Sequence, residues 1–381
     1  MIAGNPSRGK WVPPFLFSKK LRRKRDENRL TFSFVVWYNE KKNVRASEKG
    51  ERMLNKYQGC LLGGAAGDAL GFSVEFLRDF EIFKKYGENG ITEHQLCNGV
   101  AQISDDTQMT LFTAEALLSP KSNSVVSSLH LAYLDWLSTQ NNEWKEGESG
   151  LLAERELFSS RAPGTTCLCA LESGVCGTIE SPINHSKGCG GVMRVAPIAL
   201  YYHSKGKSQK AVDLLAARAA AITHGHPLGY IPAAFFVHIL EEVLSQKTIE
   251  EAVKNSIEIV PQIFKNSKNA PVVANLLVRA LELAEEPYLD DLEAIQMLGE
   301  GWVAEETLAI AVYCCQKHKN DFSSALIAAV NHSGDSDSTG AVAGNIIGAS
   351  LGVSAIPEKY TKDLELKELI LNIAKRLYQA T

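Results

Sequence analysis

From residue 53 onward the apolar residues recur at three- and four-residue spacing, and this period restricts the fold more than any other feature of the chain. The stretches 108–118 (QMTLFTAEALL), 209–222 (QKAVDLLAARAAAI), 230–245 (YIPAAFFVHILEEVLS) and 303–317 (VAEETLAIAVYCCQK) each put apolar side chains on one helical face. Few runs in the region alternate as a strand does. The breaks fall at glycine and proline clusters: RAPG at 161–164, SKGCGG at 186–191, GHPLG at 225–229 and SGDSDSTG at 333–340. The pattern predicts an all-α fold, a compact single-domain helical bundle over residues 53–381, with its polar chemistry in the loops between helices. A chain of 381 residues, 45% of them hydrophobic, is long enough that core size sets no limit.

The first fifty residues are of another kind. They hold thirteen Lys and Arg against four Asp and Glu, a surplus of nine positive charges, so a formal net charge of -4 leaves -13 for the remainder. KKLRRKR at 19–25 is a charge block, and LTFSFVVWY at 30–38 is the most strand-like run of the chain. Residues 1–52 are therefore expected to be a basic N-terminal extension outside the core domain, with Met53 as an alternative start. A core so acidic repels a phosphate backbone, which argues against nucleic acid as a partner except as a modified substrate. The eight cysteines lack the paired spacing of a zinc site, and reduced thiols are expected. No apolar run reaches the roughly 20 residues of a membrane helix, and the N-terminus lacks the order of a signal peptide. A cytoplasmic protein with no membrane partner is expected.

Two acidic clusters stand out. Ser104, Asp105 and Asp106 open the stretch at 108–118, and Asp335, Asp337 and Ser338 open the small-residue stretch TGAVAGNIIGASLG. Both are expected at helix N-termini, where Ser and Asp commonly cap backbone amides. A cap needs one such residue, and each cluster holds more. If the two loops meet, four carboxylates raise one another's pKa unless a cation neutralises them. Oxygen donors with no histidine or cysteine among them suit hard ions such as Mg²⁺ or Mn²⁺ better than zinc.

GCLLGGAAGDALGFSVEF at 59–76 has neither the GK[ST] ending of a P-loop nor the GxGxxG of a dinucleotide fold. Gly63, Gly64, Ala65, Ala66 and Gly67 instead allow a buried helix to pack closely. Asp68 follows, then Glu75 between Val74 and Phe76, where partial desolvation would raise a carboxyl pKa toward acid/base use. The loop SKGCGGVMR at 186–194 offers glycine amides ahead of a helix and suits a diphosphate. His224 and His226 in THGHP are ligand-contact candidates.

In order along the chain, GDALGFSVEF, SDDTQ, GCGGVMRVAP, THGHP and GDSDSTG resemble the motif series of the ADP-ribosylglycohydrolase family, the group that includes dinitrogenase reductase-activating glycohydrolase. The resemblance spans about residues 55–355. It implies an all-α bundle holding two divalent cations, Mg²⁺ or Mn²⁺, and hydrolysis of the N- or O-glycosidic bond between ADP-ribose and an acceptor. Position by position it implies Ser104, Asp105, Asp106, Asp335, Asp337 and Ser338 as metal ligands and Glu75 as the carboxyl over the scissile bond. Gly188, Cys189 and Gly190 then correspond to the loop around the diphosphate, and His224 to a ligand-contacting histidine. Some members carry Asn at Cys189 and Thr at Ser104; the second exchange keeps a hydroxyl, while the first removes an amide. The implied partner is an ADP-ribosylated protein or a small ADP-ribosyl conjugate. A catalytically silent ADP-ribose-binding module is the alternative, since family membership alone does not fix activity. A metal phosphohydrolase is disfavoured because 321–330 (DFSSALIAAV), ahead of the DxD, reads as helix. Acceptor-discriminating residues are expected in a variable loop at 140–180, which holds Trp144, Arg155, Arg161 and Glu172.

Overall fold

Two helices lined with glycine set the frame. The computed structural model describes residues 50–380, and α1 spans 50–72. It lies antiparallel to α14 (Ser336–Leu351), and the contact is backbone on backbone. A Cβ added at Gly59 would come within 2.2 Å of the Gly348 carbonyl oxygen, at Gly63 within 2.4 Å of that of Gly344, and at Gly67 within 2.0 Å of that of Gly340. The clashes are reciprocal, since a Cβ at Gly344 would meet the Gly63 oxygen at 2.0 Å. Glycine at every fourth position of both helices is what lets them approach this far. Asn345 Nδ2 fastens the seam by donating to the Cys60 carbonyl at 2.8 Å.

The seam ends where Gly71 meets Ser336, with a hypothetical Cβ only 2.1 Å from the Ser336 carbonyl oxygen. The last turn of α1 is thereby held against the first turn of α14. Around this pair run α2 (Asp79–Tyr86), α3 (Asp105–Leu118), α4 (Val125–Asn141), α5 (Thr165–Glu172), α6 (Ala196–Tyr202), α7 (Gln209–Ala221), α8 (Pro227–Leu244), α9 (Ile249–Ile263), α10 (Ala270–Glu285), α11 (Asp291–Leu298), α12 (Ala304–Lys317), α13 (Phe322–Val330) and α15 (Lys367–Gln379). The described residues contain fifteen helices and no strand, as the periodicity predicts.

The centre is α8, which packs on α6, α7, α9, α10, α12 and α14. Every residue of α8 except Pro227 and Glu242 is buried, so this helix is apolar around its whole circumference rather than on one face. It is long and apolar enough to cross a membrane by length and composition, but the bundle encloses 83% of it. The stretches at 108–118, 209–222 and 303–317 are helical as expected. The segment 140–180 is not the open variable loop that was expected. It holds α5 and two short 3-10 turns, pinned to the core by Leu151, Leu157, Cys167, Ala170 and Leu171. The compact unit begins at Met53; the basic block at 19–25 and the run at 30–38 lie outside the described residues.

Gly344→Ala forces the seam apart and should cost about 1–3 kcal/mol, as overpacking of a closed interface does. Urea denaturation checks this against Gly164→Ala, a position with no atom within 4 Å of the new methyl group, where stability should hardly change.

Candidate active site

The start of α3 is held from three directions. Ser104 is its N-cap, with Oγ accepting the Asp106 amide at 3.2 Å, so the expected capping geometry is present. Asp68 on α1 adds a second cap that the sequence did not single out as part of the site. Its carboxylate accepts the Ser104 amide at 3.0 Å, the Thr107 amide at 3.1 Å and the Thr107 hydroxyl. The third brace is Arg161. Its guanidinium pairs with both oxygens of Glu365 at 3.2 Å while its carbonyl accepts the Asp105 amide at 3.1 Å. This largely buried ion pair gives Arg161, one of the four residues named in the 140–180 segment, a bracing position. Trp144 donates to the Ala153 carbonyl at 3.1 Å, and Arg155 and Glu172 are exposed; none of these four residues lines the cleft.

At the start of α14, Asp335 is the N-cap and accepts the Ser338 amide at 3.2 Å; Asp337 accepts the same amide at 2.9 Å. The approach to this cap depends on Gly334. Its φ of +131° lies in glycine territory, and a Cβ there would sit 1.9 Å from the Glu300 carbonyl oxygen. Glu75 lies in the turn that follows α1 and is buried, whereas its neighbour Phe76 is exposed and stacks on Trp302 at 6.1 Å.

These segments meet in one open cleft of about 620 Å³. Its wall contains Glu75, Asp105, Asp106, Asp335, Asp337, Ser338, Gly188, Cys189, Gly190 and His224, every site residue that the family resemblance implies except Ser104. Ser104 is fully buried and does not line the cleft. Carboxylate oxygens of Glu75, Asp335 and Asp337 lie within 4.8 Å of one another. Burial first, then the charges of Asp337, Asp335 and Asp105, push the Glu75 carboxyl up to about 10. Burial and the charge of Asp337 push Asp68 up to about 7. The same two causes, in the same order, hold Asp105, Asp106 and Asp335 well above the ordinary carboxyl range.

The glycine loop closes the other side. Gly188 pairs with Val303 in an isolated antiparallel bridge, with the Cys189 amide donating to the Trp302 carbonyl at 3.3 Å and the Ala304 amide to that of Lys187 at 3.0 Å. Residues 189–191 then form a 3-10 turn, and α6 begins only at Ala196. The loop was expected to feed straight into a helix; the bridge to Val303 instead sets its shape and uses the Cys189 amide. His224 packs under the glycines, and a Cβ at Gly190 would lie 3.0 Å from its Cε1. Burial and the nearby Arg194 push His224 down to about 3, so the ring is neutral. Its Nδ1 is 2.8 Å from the Thr223 hydroxyl, which accepts from Arg194 at 2.8 Å. Arg can only donate, so the Thr223 oxygen gives one lone pair to Arg194 and keeps a second lone pair and its hydrogen for other neighbours, while Nε2 of the neutral ring lies near Gly188. His226 instead caps α8, accepting the Leu228 amide at 3.1 Å.

Arg194 is also absent from the sequence reading. It is fully buried, stacked over Tyr133 at 4.3 Å and in contact with the Cys167 sulfur at 3.5 Å. Only the apolar surroundings of GVMR hinted at such a residue. Asp68 left a fainter trace, since its partners are 36 and 39 positions away.

The donor set fits a cation. Asp106 Oδ1 and Glu75 Oε2 are buried without any hydrogen-bond partner, and an unpaired buried carboxylate oxygen is costly. A divalent ion would satisfy both atoms and relieve the mutual repulsion of the cluster. Taken with an all-helical frame, this defines a hydrolase-type acidic centre built at helix N-termini.

The family model described as ADP-ribosylglycohydrolase matches residues 49–381, and the chain belongs to that family. It is 25% identical to ADP-ribosylhydrolase ARH3 of Bos taurus, over 86% of this chain and 93% of the relative. It is also 25% identical to the ADP-ribosyl-[dinitrogen reductase] glycohydrolase of Rhodospirillum rubrum, over 84% and 93%. A solved structure titled "ADP-ribosylglycohydrolase-related protein complex" has the same fold, with a TM-score of 0.56 at 24% identity over 87% of this chain and 99% of the other.

Without metal, these carboxyls bind more protons folded than unfolded. Stability therefore falls as pH rises from about 4, where the unfolded chain ionises, through about 7 for Asp68 to about 10 for Glu75. In chelator the melting temperature should be lower at about pH 8 than at about pH 5.5. Asp337→Asn should shrink that gap, and Mg²⁺ should raise the melting temperature at the higher pH; differential scanning calorimetry reads all three.

Proposed function

We propose that this protein hydrolyses the glycosidic bond between ADP-ribose and an acceptor, and so reverses ADP-ribosylation. The observation that carries the reading is the meeting of five buried carboxyls, Glu75, Asp105, Asp106, Asp335 and Asp337, with the glycine loop at 188–190 in one cleft. Asp105, Asp106, Asp335 and Asp337, with the hydroxyls of Ser104 and Ser338, would hold two divalent cations, Mg²⁺ or Mn²⁺. When bound, the cations supply Lewis acidity and a template for the hydroxyls of the distal ribose.

The remaining work belongs to the protein. The loop at 188–190 and the His224 ring beneath it bind the diphosphate and orient the distal ribose toward Glu75. As the C1″ bond breaks, positive charge develops on the sugar ring, and Glu75, ionised where bound cations would offset the charges of Asp335, Asp337 and Asp105, stabilises it and takes a proton from the attacking water. Walls of Ala162, Met193 and Trp302 restrict solvent, which strengthens each of these interactions. The named relatives support an ADP-ribosylated protein or a small ADP-ribosyl conjugate as the substrate. All eight cysteines are unpaired, which supports a reducing compartment and the cytoplasm as the place of action. Residues 1–52 are taken as an extension outside the catalytic domain.

The test is release of free ADP-ribose from arginine-linked, serine-linked and DNA-linked substrates with Mg²⁺, with Mn²⁺ and with chelator. Metal-dependent release from one of them supports the reading; binding of ADP-ribose with no release from any leaves a silent binding module. Asp335→Ala should lose cation binding by calorimetry and turnover together, and full turnover in it would sink the metal centre. Glu75→Gln should keep ADP-ribose binding while turnover falls by about 10²–10⁴; an unchanged rate removes Glu75 from the chemistry.

A further inference from the structure

Cys189 brings the only sulfur of the glycine loop into the acidic cluster. Its backbone is fixed by the bond from its amide to the Trp302 carbonyl at 3.3 Å, next to the bridge between Gly188 and Val303. From that anchor Sγ reaches within 2.7 Å of Asp335 Oδ2, and both residues line the cleft. Metal–sulfur bonds of about 2.3 Å and metal–oxygen bonds of about 2.0–2.2 Å set neighbouring ligand atoms roughly 3.5 Å apart at a tetrahedral centre. Opening the present contact by roughly 0.8 Å therefore gives the bite of two ligands on one ion. A separate observation shows that the cluster lacks a positive partner. Asp106 Oδ1 and Glu75 Oε2 face the same cleft from residues only 3% and 7% exposed, and neither has a hydrogen-bond partner.

We infer that Cys189 is a sulfur ligand of the metal centre, sharing one cation with Asp335, and that this position prefers a borderline or thiophilic divalent ion such as Zn²⁺, Co²⁺ or Cd²⁺. The inference rests on the reading of the cluster as a metal centre and adds to it a donor that an all-oxygen site lacks. On binding, the thiol S–H bond breaks, its proton leaves to water, and the sulfur lone pair forms the bond to the cation; no electron is transferred. Thiolate ligands select for softer ions, whereas the remaining oxygen donors accept Mg²⁺ and Mn²⁺ with or without the sulfur. The sequence reading, which found only oxygen donors in the two clusters, counted Cys189 with the diphosphate loop; the fold carries it across to Asp335.

The experiment is optical titration of the full-length chain, stripped by chelator, with Co²⁺ and with Cd²⁺. The wild type should show a sulfur-to-metal charge-transfer band saturating at one equivalent. Cys189→Ser and Cys189→Asn should lose the band while Co²⁺ still binds through carboxylates, seen in its weaker d–d absorption. Their affinity for Cd²⁺ should fall by about tenfold or more, while Mg²⁺ affinity by calorimetry stays within about twofold. Cys167→Ser, at the other cysteine lining the cleft, should keep the band. Co²⁺ binding without a charge-transfer band in the wild type, or a band that survives in Cys189→Ser, overturns the sulfur ligand and leaves the metal centre standing. Absence of binding by any of the three ions overturns both.

Discussion

The closeness of α1 and α14 is the constraint from which the site follows. Side chains at Gly63 or Gly344 would hold the two helices apart, and only glycine lets the backbones touch. The seam sets the helices' register as well as their distance. Because Gly71 lies against Ser336, Asp68 and Glu75 at one end of α1 are delivered to Asp335, Asp337 and Ser338 at the opening of α14. Asp68 then reaches sideways to the amides of Ser104 and Thr107, which adds Asp105 and Asp106 to the same cleft. One packing contact thus positions three acidic segments.

The cost of this arrangement is electrostatic. Helix N-termini favour negative charge, and the caps at Ser104 and Asp335 use that preference locally. They do not offset burying five carboxyls side by side, as the raised pKa values of Asp105, Asp106 and Asp335 show. Among the described residues, Arg194 is the one fully buried guanidinium, and it is engaged by Thr223, Ala219 and sulfur atoms, while Arg161 is paired with Glu365. Burial and mutual repulsion favour protons on the clustered carboxyls. Bound to divalent cations, the cluster becomes an ordered set of ligands whose geometry was fixed before the ions arrived, the kind of preorganisation that catalysis draws on.

How much of this was legible in the chain depends on the range of the interaction. Helical periods are local, so α3, α7, α12 and α13 could be read from spacing. The caps at Ser104 and Asp335 are also local, and they placed both acidic clusters at helix starts. The apolar envelope of α8 was misjudged as a single face because a helix wrapped on all sides differs from an amphipathic one only by a few polar positions. Asp68 and Arg161 act through partners that the sequence does not put beside them: the Ser104 amide 36 residues away and Glu365 204 residues away. A salt bridge of that span leaves no signature in spacing, and Arg161 therefore has no recognisable role in the sequence. Both glycine stripes were visible as close-packing surfaces, but nothing in either one names the other as its partner.

That last separation has a consequence for the order of events at the ribosome. Asp106 and Asp335 lie 229 positions apart, which at roughly 5–20 residues per second is on the order of 10–50 s of synthesis. During that interval α1 exists with its glycine stripe uncovered, and the first acidic loop has no second loop to repel. The electrostatic conflict therefore arrives only with the last quarter of the chain, after the apolar core around α8 has emerged. A polypeptide built this way brings its two acidic clusters together in the same step that closes the α1–α14 seam.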